Sequence, residues 1–233
     1  MKEYYFDEEL IQGLIKSRPN RFIMLVEIKG KIEKCHCPST GRIGNILFEN
    51  IPCLLSKATS KIRKTKYTVE AISPAVGKWV GINQTKANSY INFFLKNNLL
   101  KKIIDVKEVK REVKLNTSKI DFLINGDCFL EVKTLLRNLP YGDKKDNSKF
   151  NSFERLGRHF QDISLQIKKG QRAIVLLCYL YAADKFEVPK DSNKEIENIV
   201  KKATLRGLEN WQINLKLDKK RISIINYFKL NLF

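Results

Sequence analysis

The chain has 233 residues, of which 43% are hydrophobic and 30% are charged. This length and balance suit a globular protein with one large or two small domains and a sizeable core. The longest apolar run, residues 173–183, is too short to span a bilayer, which excludes a membrane-spanning helix there. An excess of 44 Lys and Arg over 25 Asp and Glu gives a formal net charge of +19, which favours a phosphate-rich partner such as nucleic acid.

The N-terminus and the cysteines bear on the compartment. The first ten residues, MKEYYFDEEL, are acidic and aromatic, which is not the pattern of a signal peptide. Five cysteines are an odd number in a chain of this length, which argues against a disulfide framework and favours a reducing environment. We therefore expect a cytoplasmic protein that does not associate with membranes.

The first third of the chain alternates short apolar segments with turns. We predict strands over residues 21–30, 31–37, 51–56, 65–73 and 78–82. Short strands separated by turn residues are typical of a small closed or partly closed barrel. We predict such a barrel over residues 1–82, with the OB-type barrel as the candidate.

From residue 83 onward the pattern changes to a mixture of helices and strands. Apolar residues at helical spacing predict a first helix over 83–100, with Asn83 or Thr85 as its N-cap. The later helices are predicted over 152–170 and 194–207, and the strands over 103–115, 119–124, 128–133, 172–180, 210–217 and 221–228. This order predicts a mixed sheet flanked by helices over residues 83–233, so the whole chain is of the α/β (α+β) class.

The hairpin KIDFLINGDCFLEVK, residues 119–133, places three charged residues among apolar ones. A two-residue turn would put Asp121 opposite Leu130 and would exclude Glu131 from its face, because side chains alternate along a strand. A three-residue loop, 125–127, would put Asp121 opposite Glu131, with Lys133 on the same face. We predict the three-residue loop, with Gly126 or Asp127 in a left-handed or bulged conformation. That register also gathers the apolar residues of one face, which are Ile120, Phe122, Ile124, Cys128, Leu130 and Val132.

Two interpretations of these charges remain open. Asp121 and Glu131, with the carbonyl of Val132, would bind Mg²⁺, since hard oxygen ligands suit that ion, and Lys133 would orient or activate a water for attack on a phosphate. Alternatively, Lys133 between two acids is a structural salt-bridge cluster. The tripeptide Glu-x-Lys recurs elsewhere in this Lys-rich chain, so only the apolar context of the hairpin distinguishes it.

Further basic residues are candidate nucleic-acid contacts. Arg42 follows a Pro-Ser-Thr-Gly turn that could present amide groups to a phosphate or could simply turn a barrel strand. A basic run lies beside Tyr67 and could either follow a nucleic-acid backbone or form an exposed charged loop. The helix at 152–170 carries three more candidates, whose alternative is a solvated face. The residues of the run are Lys57, Lys61, Arg63, Lys64 and Lys66, and those of the helix are Arg155, Arg158 and His159.

The sequence resembles the sugar fermentation stimulation protein family over nearly its whole length. The resemblance lies in the stretches RFIMLVEI, HCPSTGRIG, RKTKYTVE, WVGIN, KIDFLI, FLEVKT and ERLGRHF. It implies an N-terminal OB-type domain, a C-terminal domain of the PD-(D/E)xK nuclease type, and a DNA-binding protein with a role in regulating sugar (maltose) metabolism. It also places Asp121, Glu131 and Lys133 on the nuclease-type motif.

The chain departs from the family pattern at three places. The family has an Ala-x-Phe-Pro-Asp-like segment after the Glu-x-Lys strand, where this chain has the polar residues 142–150. The first helix of the family carries a Glu, where this chain has Asn92-Phe93, and an Arg-Gly pair before the His is Arg155-Leu156 here. Two functions therefore remain, a DNA-binding module and a Mg²⁺-dependent nuclease acting on DNA or RNA.

Overall fold

The computed structural model describes residues 2–44, 46–59, 62–115, 118–136, 139, 170–188 and 194–232. They form a closed barrel of five strands and a mixed sheet of seven strands with helices against it. Both parts of the predicted fold class are confirmed. Neither described helix has the length and apolar character needed to cross a membrane.

The strands of the barrel half are β2 (Ile11–Asn20), β3 (Ile23–Ile28), β4 (Lys31–His36), β5 (Ile51–Lys57), β6 (Tyr67–Ala75) and β7 (Lys78–Gly81). The closed order is β4-β3-β2-β5-β6, and β7 pairs with β6 outside the ring. The barrel closes because β4 and β6 pair in parallel, in addition to the antiparallel pairs along the ring. Closure removes the open edges that a sheet of this size would otherwise expose.

The seven-stranded sheet has the order β1-β13-β12-β11-β10-β9-β8. Its central strands β10, β11 and β12 are parallel to one another, and the outer pairs are antiparallel. The strands are β1 (Tyr4–Tyr5), β8 (Val109–Leu115), β9 (Ser118–Ile124), β10 (Cys128–Thr134), β11 (Arg172–Tyr179), β12 (Leu208–Leu217) and β13 (Arg221–Leu230). The helices are α1 (Ala87–Lys96), preceded by a 3-10 turn at Gln84–Lys86, and α2 (Lys194–Leu205).

Two strands near the N-terminus were missed by the sequence analysis. β2, residues 11–20, mixes half-buried and exposed side chains without the alternation that identifies a strand. β1 has only two residues and pairs with Ile222 and Arg221 of β13, so it lies in the larger sheet and outside the barrel. The division of the chain between residues 82 and 83 stays a prediction.

Asn83, one of the two predicted N-cap residues, is the N-cap of the 3-10 turn that leads directly into α1. Its side chain forms no cap hydrogen bond, Thr85 lies within the turn, and Lys86 is the N-cap of α1 itself. The Asn83 side chain instead donates to the carboxylate of Glu70 at 2.8 Å. Glu70 is fully buried in β6 and also accepts from Lys86 at 3.0 Å. The Asn83 side-chain oxygen, the atom that would cap the helix, accepts from the Thr85 hydroxyl at 2.6 Å.

The barrel and the sheet share a continuous core. One cluster of buried side chains includes Met24 and Val26 of the barrel together with Val175 and Leu177 of β11. At the junction the amide of Gly81 donates to the Leu180 carbonyl at 2.9 Å. A β-carbon at Gly81 would lie 2.6 Å from that of Leu180, so only glycine allows this approach.

Candidate functional site

The β9–β10 hairpin has the predicted three-residue loop. Cys128 pairs with Ile124 and Leu130 with Phe122, and the same register places Asp121 opposite Glu131. Gly126 has a φ of 83°, as predicted, and Asn125 also adopts a left-handed conformation, with a φ of 54°. The prediction of the hairpin register is confirmed.

The two faces of the hairpin have different surroundings. Phe122, Leu130 and Val132 pack with the residues of α1 in one buried cluster. Phe129 and Leu123 pack on the other face, where Asp121 and Glu131 lie, with the cluster that includes the barrel core. The predicted apolar face is confirmed apart from Ile120, which belongs to the second of these clusters.

The Asp121 carboxylate is held by two donors. Its Oδ1 accepts from the side-chain amide of Asn88 at 2.6 Å, and its Oδ2 accepts from the backbone amide of Val132 at 2.8 Å. The second bond takes the place of a backbone–backbone hydrogen bond between β9 and β10, because the Asp121 side chain of β9 accepts from a backbone amide of β10. Asp121 is thereby fixed against β10 rather than projecting freely into solvent.

Glu131 and Lys133 form an ion pair beside Asp121. Lys133 Nζ lies 2.5 Å from Glu131 Oε1, and the backbone amide of Asp121 donates to Glu131 Oε2 at 3.3 Å. The Glu131 side chain is only 5% exposed, while that of Lys133 is 24% exposed. The three predicted residues therefore lie together, and Glu131 is the buried member of the ion pair.

The electrostatic balance of this cluster is unfavourable for a second negative charge. Burial raises the pKa of Asp121, and the neighbouring Glu131 raises it further. The Val132 amide, Asn88 and Lys133 act in the opposite direction and do not cancel the increase. Two buried carboxylates with one ammonium group are the arrangement that a divalent cation would relieve, since it would neutralise both acids.

Asn88 was missed by the sequence analysis, which considered Asn92 and Phe93 of the same helix. Asn88 lies in the first turn of α1, one helical turn before Asn92, so both are on the same side of the helix. The sequence could have indicated Asn88, because it lies one helical turn before Asn92-Phe93, where the family pattern has a Glu. The side-chain oxygen of Asn92 is buried and has no hydrogen-bond partner among the described residues.

Protein ligands for a cation are few in this part of the molecule. The described residues contain no group of three or more His, Cys, Asp or Glu side chains that could hold a metal ion. Two carboxylates and a backbone carbonyl fit Mg²⁺, which usually retains several waters and takes only one or two carboxylates from the protein. The Val132 side chain packs on the opposite face, so only its backbone could contribute, and its carbonyl stays a predicted ligand.

Arg42 is exposed on the loop that joins β4 to β5 of the barrel. In this loop the Ser39 hydroxyl donates to the Ile82 carbonyl at 2.5 Å, and Arg18 donates to the Ser39 carbonyl at 2.7 Å. Gly44 approaches Leu139, five residues beyond the end of β10, so closely that a β-carbon would lie 2.9 Å from its side chain. The loop that carries Arg42 thus packs against the segment that follows the Glu131 strand.

The described residues of the basic run lie on one hairpin of the barrel. Lys57 ends β5, and Arg63, Lys64 and Lys66 precede β6; all four are exposed. Lys57 forms an ion pair with Glu8 at 2.7 Å, so part of its charge is neutralised. Four predicted nucleic-acid contacts lie outside the described residues: Lys61, Arg155, Arg158 and His159.

Comparison with known proteins identifies the family. Residues 17–82 match the family model "SfsA N-terminal OB domain", and residues 85–221 match "Sugar fermentation stimulation protein RE domain". A sugar fermentation stimulation protein homolog of Pelagibacter ubique is 34% identical over 235 residues, which cover 95% of this chain and 99% of the relative. The chain belongs to the sugar fermentation stimulation protein family.

Other members of the sugar fermentation stimulation protein family agree in length and fold. The homolog of Clostridium beijerinckii is 28% identical over 94% of this chain and 96% of its own. A solved structure described as "The structure of Pyrococcus Furiosus SfsA in complex with Ca2+" superposes with a TM-score of 0.77. It is 24% identical and covers 100% of this chain and 99% of its own, so the likeness supports the fold of both halves.

Proposed function

We propose that this protein binds DNA with low sequence specificity. The observation that carries the proposal is an OB-type barrel in a chain with a formal net charge of +19. OB-type barrels commonly bind oligonucleotides, and an excess of positive charge supplies affinity for phosphate that does not depend on sequence. A role in regulating sugar metabolism is part of the proposal and rests on the family alone.

The proposed low specificity follows from the described helices. A protein that reads bases in the major groove usually presents an exposed helix to them. Helix α1 instead packs Tyr90, Ile91 and Phe94 into the core against the sheet. Exposed cations such as Arg63 and Lys64 would contact phosphates, which position a nucleic acid without selecting a sequence.

A second candidate function is Mg²⁺-dependent cleavage of phosphodiester bonds. It is favoured by the convergence of Asp121, Glu131 and Lys133 on one face of the sheet. The related structure from Pyrococcus furiosus is described as a complex with Ca²⁺, which supports a cation site in this family. Proteins of the PD-(D/E)xK type use the same residue types in this order, and we extend that assignment to this chain as part of the proposal.

In this mechanism the protein residues have separate tasks. Asp121 and Glu131 would hold Mg²⁺, and Asn88 would keep the Asp121 carboxylate in the orientation seen here. The bound ion would supply charge neutralisation at the phosphate and a lowered pKa for water. Lys133, whose side chain is more exposed than that of Glu131, would orient the attacking water.

The test compares two single substitutions that remove one negative charge each. Glu131→Gln alters the candidate site, and Glu112→Gln alters an exposed acid of β8 that pairs with Lys119. Purified proteins are incubated with single-stranded and duplex DNA and RNA in the presence of Mg²⁺, Mn²⁺ or EDTA. Binding is measured by anisotropy of the labelled nucleic acid, and cleavage is measured on gels.

The outcomes separate the two candidate functions. Cation-dependent cleavage that is lost in Glu131→Gln and retained in Glu112→Gln would support the nuclease. Salt-sensitive DNA binding without cleavage, equal in both variants, would support a binding module in which the three charges are architectural. Absence of binding to every nucleic acid at low salt would contradict the main proposal.

A further inference from the structure

A cavity of about 550 Å³ lies where the barrel meets the seven-stranded sheet. Its walls come from four segments that are distant in sequence: Tyr5 of β1, Glu9 before β2, Trp79 of β7, and residues 218–221 in and after the turn between β12 and β13. Two of the lining residues, Glu9 and Asp218, are acidic. None of Asp121, Glu131 and Lys133 lines it. The cavity is therefore separate from the candidate cation site.

Two aromatic rings face this cavity from different strands. Tyr4, the neighbour of Tyr5, packs its ring 5.0 Å from that of Tyr90 in the core, whereas Tyr5 is 59% exposed. Trp79 is half-buried and packs partly against the same core cluster. Aromatic faces that remain open to solvent beside a cavity are surfaces on which a planar ring can stack.

The Tyr5 ring is held in position by charged neighbours. Its hydroxyl donates to Glu3 at 3.3 Å and also contacts the side chain of Arg221, with which Tyr5 is paired in the sheet. The guanidinium of Arg221 lies 2.6 Å from Glu3 and 3.2 Å from Asp218. These two acids neutralise Arg221, so its role is to fix the wall of the cavity.

Lys219 and Lys220, in the turn between β12 and β13, differ from Arg221 because their side chains have weak acidic partners or none. Lys219 has no ion pair with a described acidic residue, and Lys220 lies 4.0 Å from Glu9, at the limit of an ion pair. Their carbonyls accept from Leu10 at 2.7 Å and from Phe6 at 2.9 Å, which fixes the backbone of the turn. Two exposed ammonium groups thus stand on a rigid turn at the rim of an aromatic cavity.

We infer that this cavity binds an unpaired nucleotide of single-stranded nucleic acid. The base stacks on Trp79 and Tyr5, and the adjoining phosphates contact Lys219 and Lys220. Stacking on an aromatic platform combined with basic groups is the general mode by which single strands are bound without sequence preference. The inference rests on the proposed nucleic-acid binding and specifies which strand form it takes.

The cavity is close enough to the candidate cation site for one strand of nucleic acid to contact both. β10 and β12 are parallel through β11, so their carboxyl ends meet at the same edge of the sheet. Glu131 is aligned with Val175 and Asn210, and the turn begins at Asp218, eight residues farther along β12. That separation is roughly 26 Å at about 3.3 Å per residue, which about eight stacked nucleotides at about 3.4 Å each would span.

The test uses the fluorescence of Trp79, because the other tryptophan, Trp211, is only 8% exposed. Wild-type protein is titrated with an oligo-dT of about ten nucleotides and with a duplex of the same length, and binding is followed separately by anisotropy. Trp79→Phe assigns any fluorescence change to Trp79. Tyr5→Ala removes one ring from an exposed position.

A pair of double variants tests the phosphate contact. Lys219→Gln with Lys220→Gln is compared with Lys201→Gln and Lys202→Gln on the exposed face of α2, which removes the same charge elsewhere. We expect quenching by oligo-dT and none by the duplex. We also expect about tenfold weaker oligo-dT binding in Tyr5→Ala and in the turn double variant, against less than twofold in the α2 control.

Different results would contradict the cavity as a nucleotide site and the proposed DNA binding. Oligo-dT binding without Trp79 quenching, with the two double variants equally affected, would leave DNA binding intact and remove the cavity from it. Equal quenching by the duplex would contradict the assignment to unpaired nucleotides. Absence of an anisotropy change with both nucleic acids would contradict the cavity and the proposed function together.

Discussion

Asn88 donates its side-chain amide to Asp121 Oδ1 at 2.6 Å, and this bond links helix α1 to the hairpin that carries the candidate site. The helix begins directly after the residues that join the barrel to the sheet. The orientation of the Asp121 carboxylate therefore depends on an element that is 33 residues away in sequence.

Replacing Asn88 should weaken cation binding more than it weakens the fold. In Asn88→Ala, Asp121 loses one of its two donors, and outer partners of metal ligands typically contribute about tenfold or more to affinity. We expect about tenfold weaker Mn²⁺ binding by calorimetry. The loss in free energy of unfolding should be about 1 kcal/mol, the usual contribution of one hydrogen bond. The exposed Asn226→Ala on β13 is the control, and unchanged Mn²⁺ affinity in Asn88→Ala would contradict the assigned role.

Asp121 should make stability fall with rising pH. Because burial and Glu131 raise its pKa, the folded protein binds the Asp121 proton at a higher pH than the unfolded chain does. Its contribution to stability is therefore present below the ordinary value of 3.8 and is lost as pH rises through the raised value. Asp121→Asn removes this loss, and Asn88 can turn its amide to accept from the new side chain.

The check is urea unfolding of wild type and Asp121→Asn at about pH 4.5 and pH 7. We expect the variant to gain stability relative to wild type between these two values and to be at least as stable at pH 7. Titrating groups outside this cluster are common to both proteins and cancel in the difference. If the free energies of unfolding of the two proteins change in parallel with pH, the raised pKa of Asp121 would be contradicted.

The contact between Gly81 and Leu180 should tolerate no side chain. In Gly81→Ala the new β-carbon would meet both the Leu180 β-carbon and its carbonyl oxygen, at 2.6 and 2.9 Å. Overpacking of this kind costs about 1–3 kcal/mol. Gly41→Ala is a matched control, since a β-carbon at Gly41 meets no atom within 4 Å. Denaturant unfolding should show a loss for Gly81→Ala alone, and equal stability of the two variants would contradict the close approach.

The basic hairpin of the barrel should determine much of the salt dependence of DNA binding. Replacing Arg63, Lys64 and Lys66 together by Gln removes three exposed charges. If each contacts a phosphate of a single strand, the slope of log Kobs against log salt should fall by about 2. A triple Gln variant of the exposed Lys29, Lys31 and Lys34 in the same barrel should change the slope by less than 1. Equal effects of the two triple variants would show that only overall charge matters.

Local patterns were sufficient for most strands and for the hairpin register. The apolar segments 23–28, 128–134 and 172–179 are strands as predicted, because continuous or alternating apolar residues fit only a buried sheet at that length. The register followed from the requirement that Phe122 and Leu130 share a buried face. A slip of one residue would have exposed that whole face, which makes this kind of prediction dependable.

Apart from β2, which lacks a clear alternating pattern, the features that the sequence analysis missed depend on contacts between distant segments. β1 is a strand only because β13 offers it a partner, and two residues carry no pattern of their own. The Asn83 side chain forms no helix cap, because its amide donates to buried Glu70 and its oxygen accepts from Thr85. Asn88 and Asp121 are neighbours through the docking of a helix on a sheet.

The sequence by itself determined the class of fold, the order of the strands along the chain and the face on which Asp121, Glu131 and Lys133 lie. These follow from hydrophobic periodicity and turn chemistry, which act over a few residues. Only the tertiary structure decided which groups surround those charges and where Tyr5, Trp79 and Lys219 meet. Such neighbours are selected by the packing of whole elements, and a polar group acquires its partner only after the apolar faces have determined where each element lies.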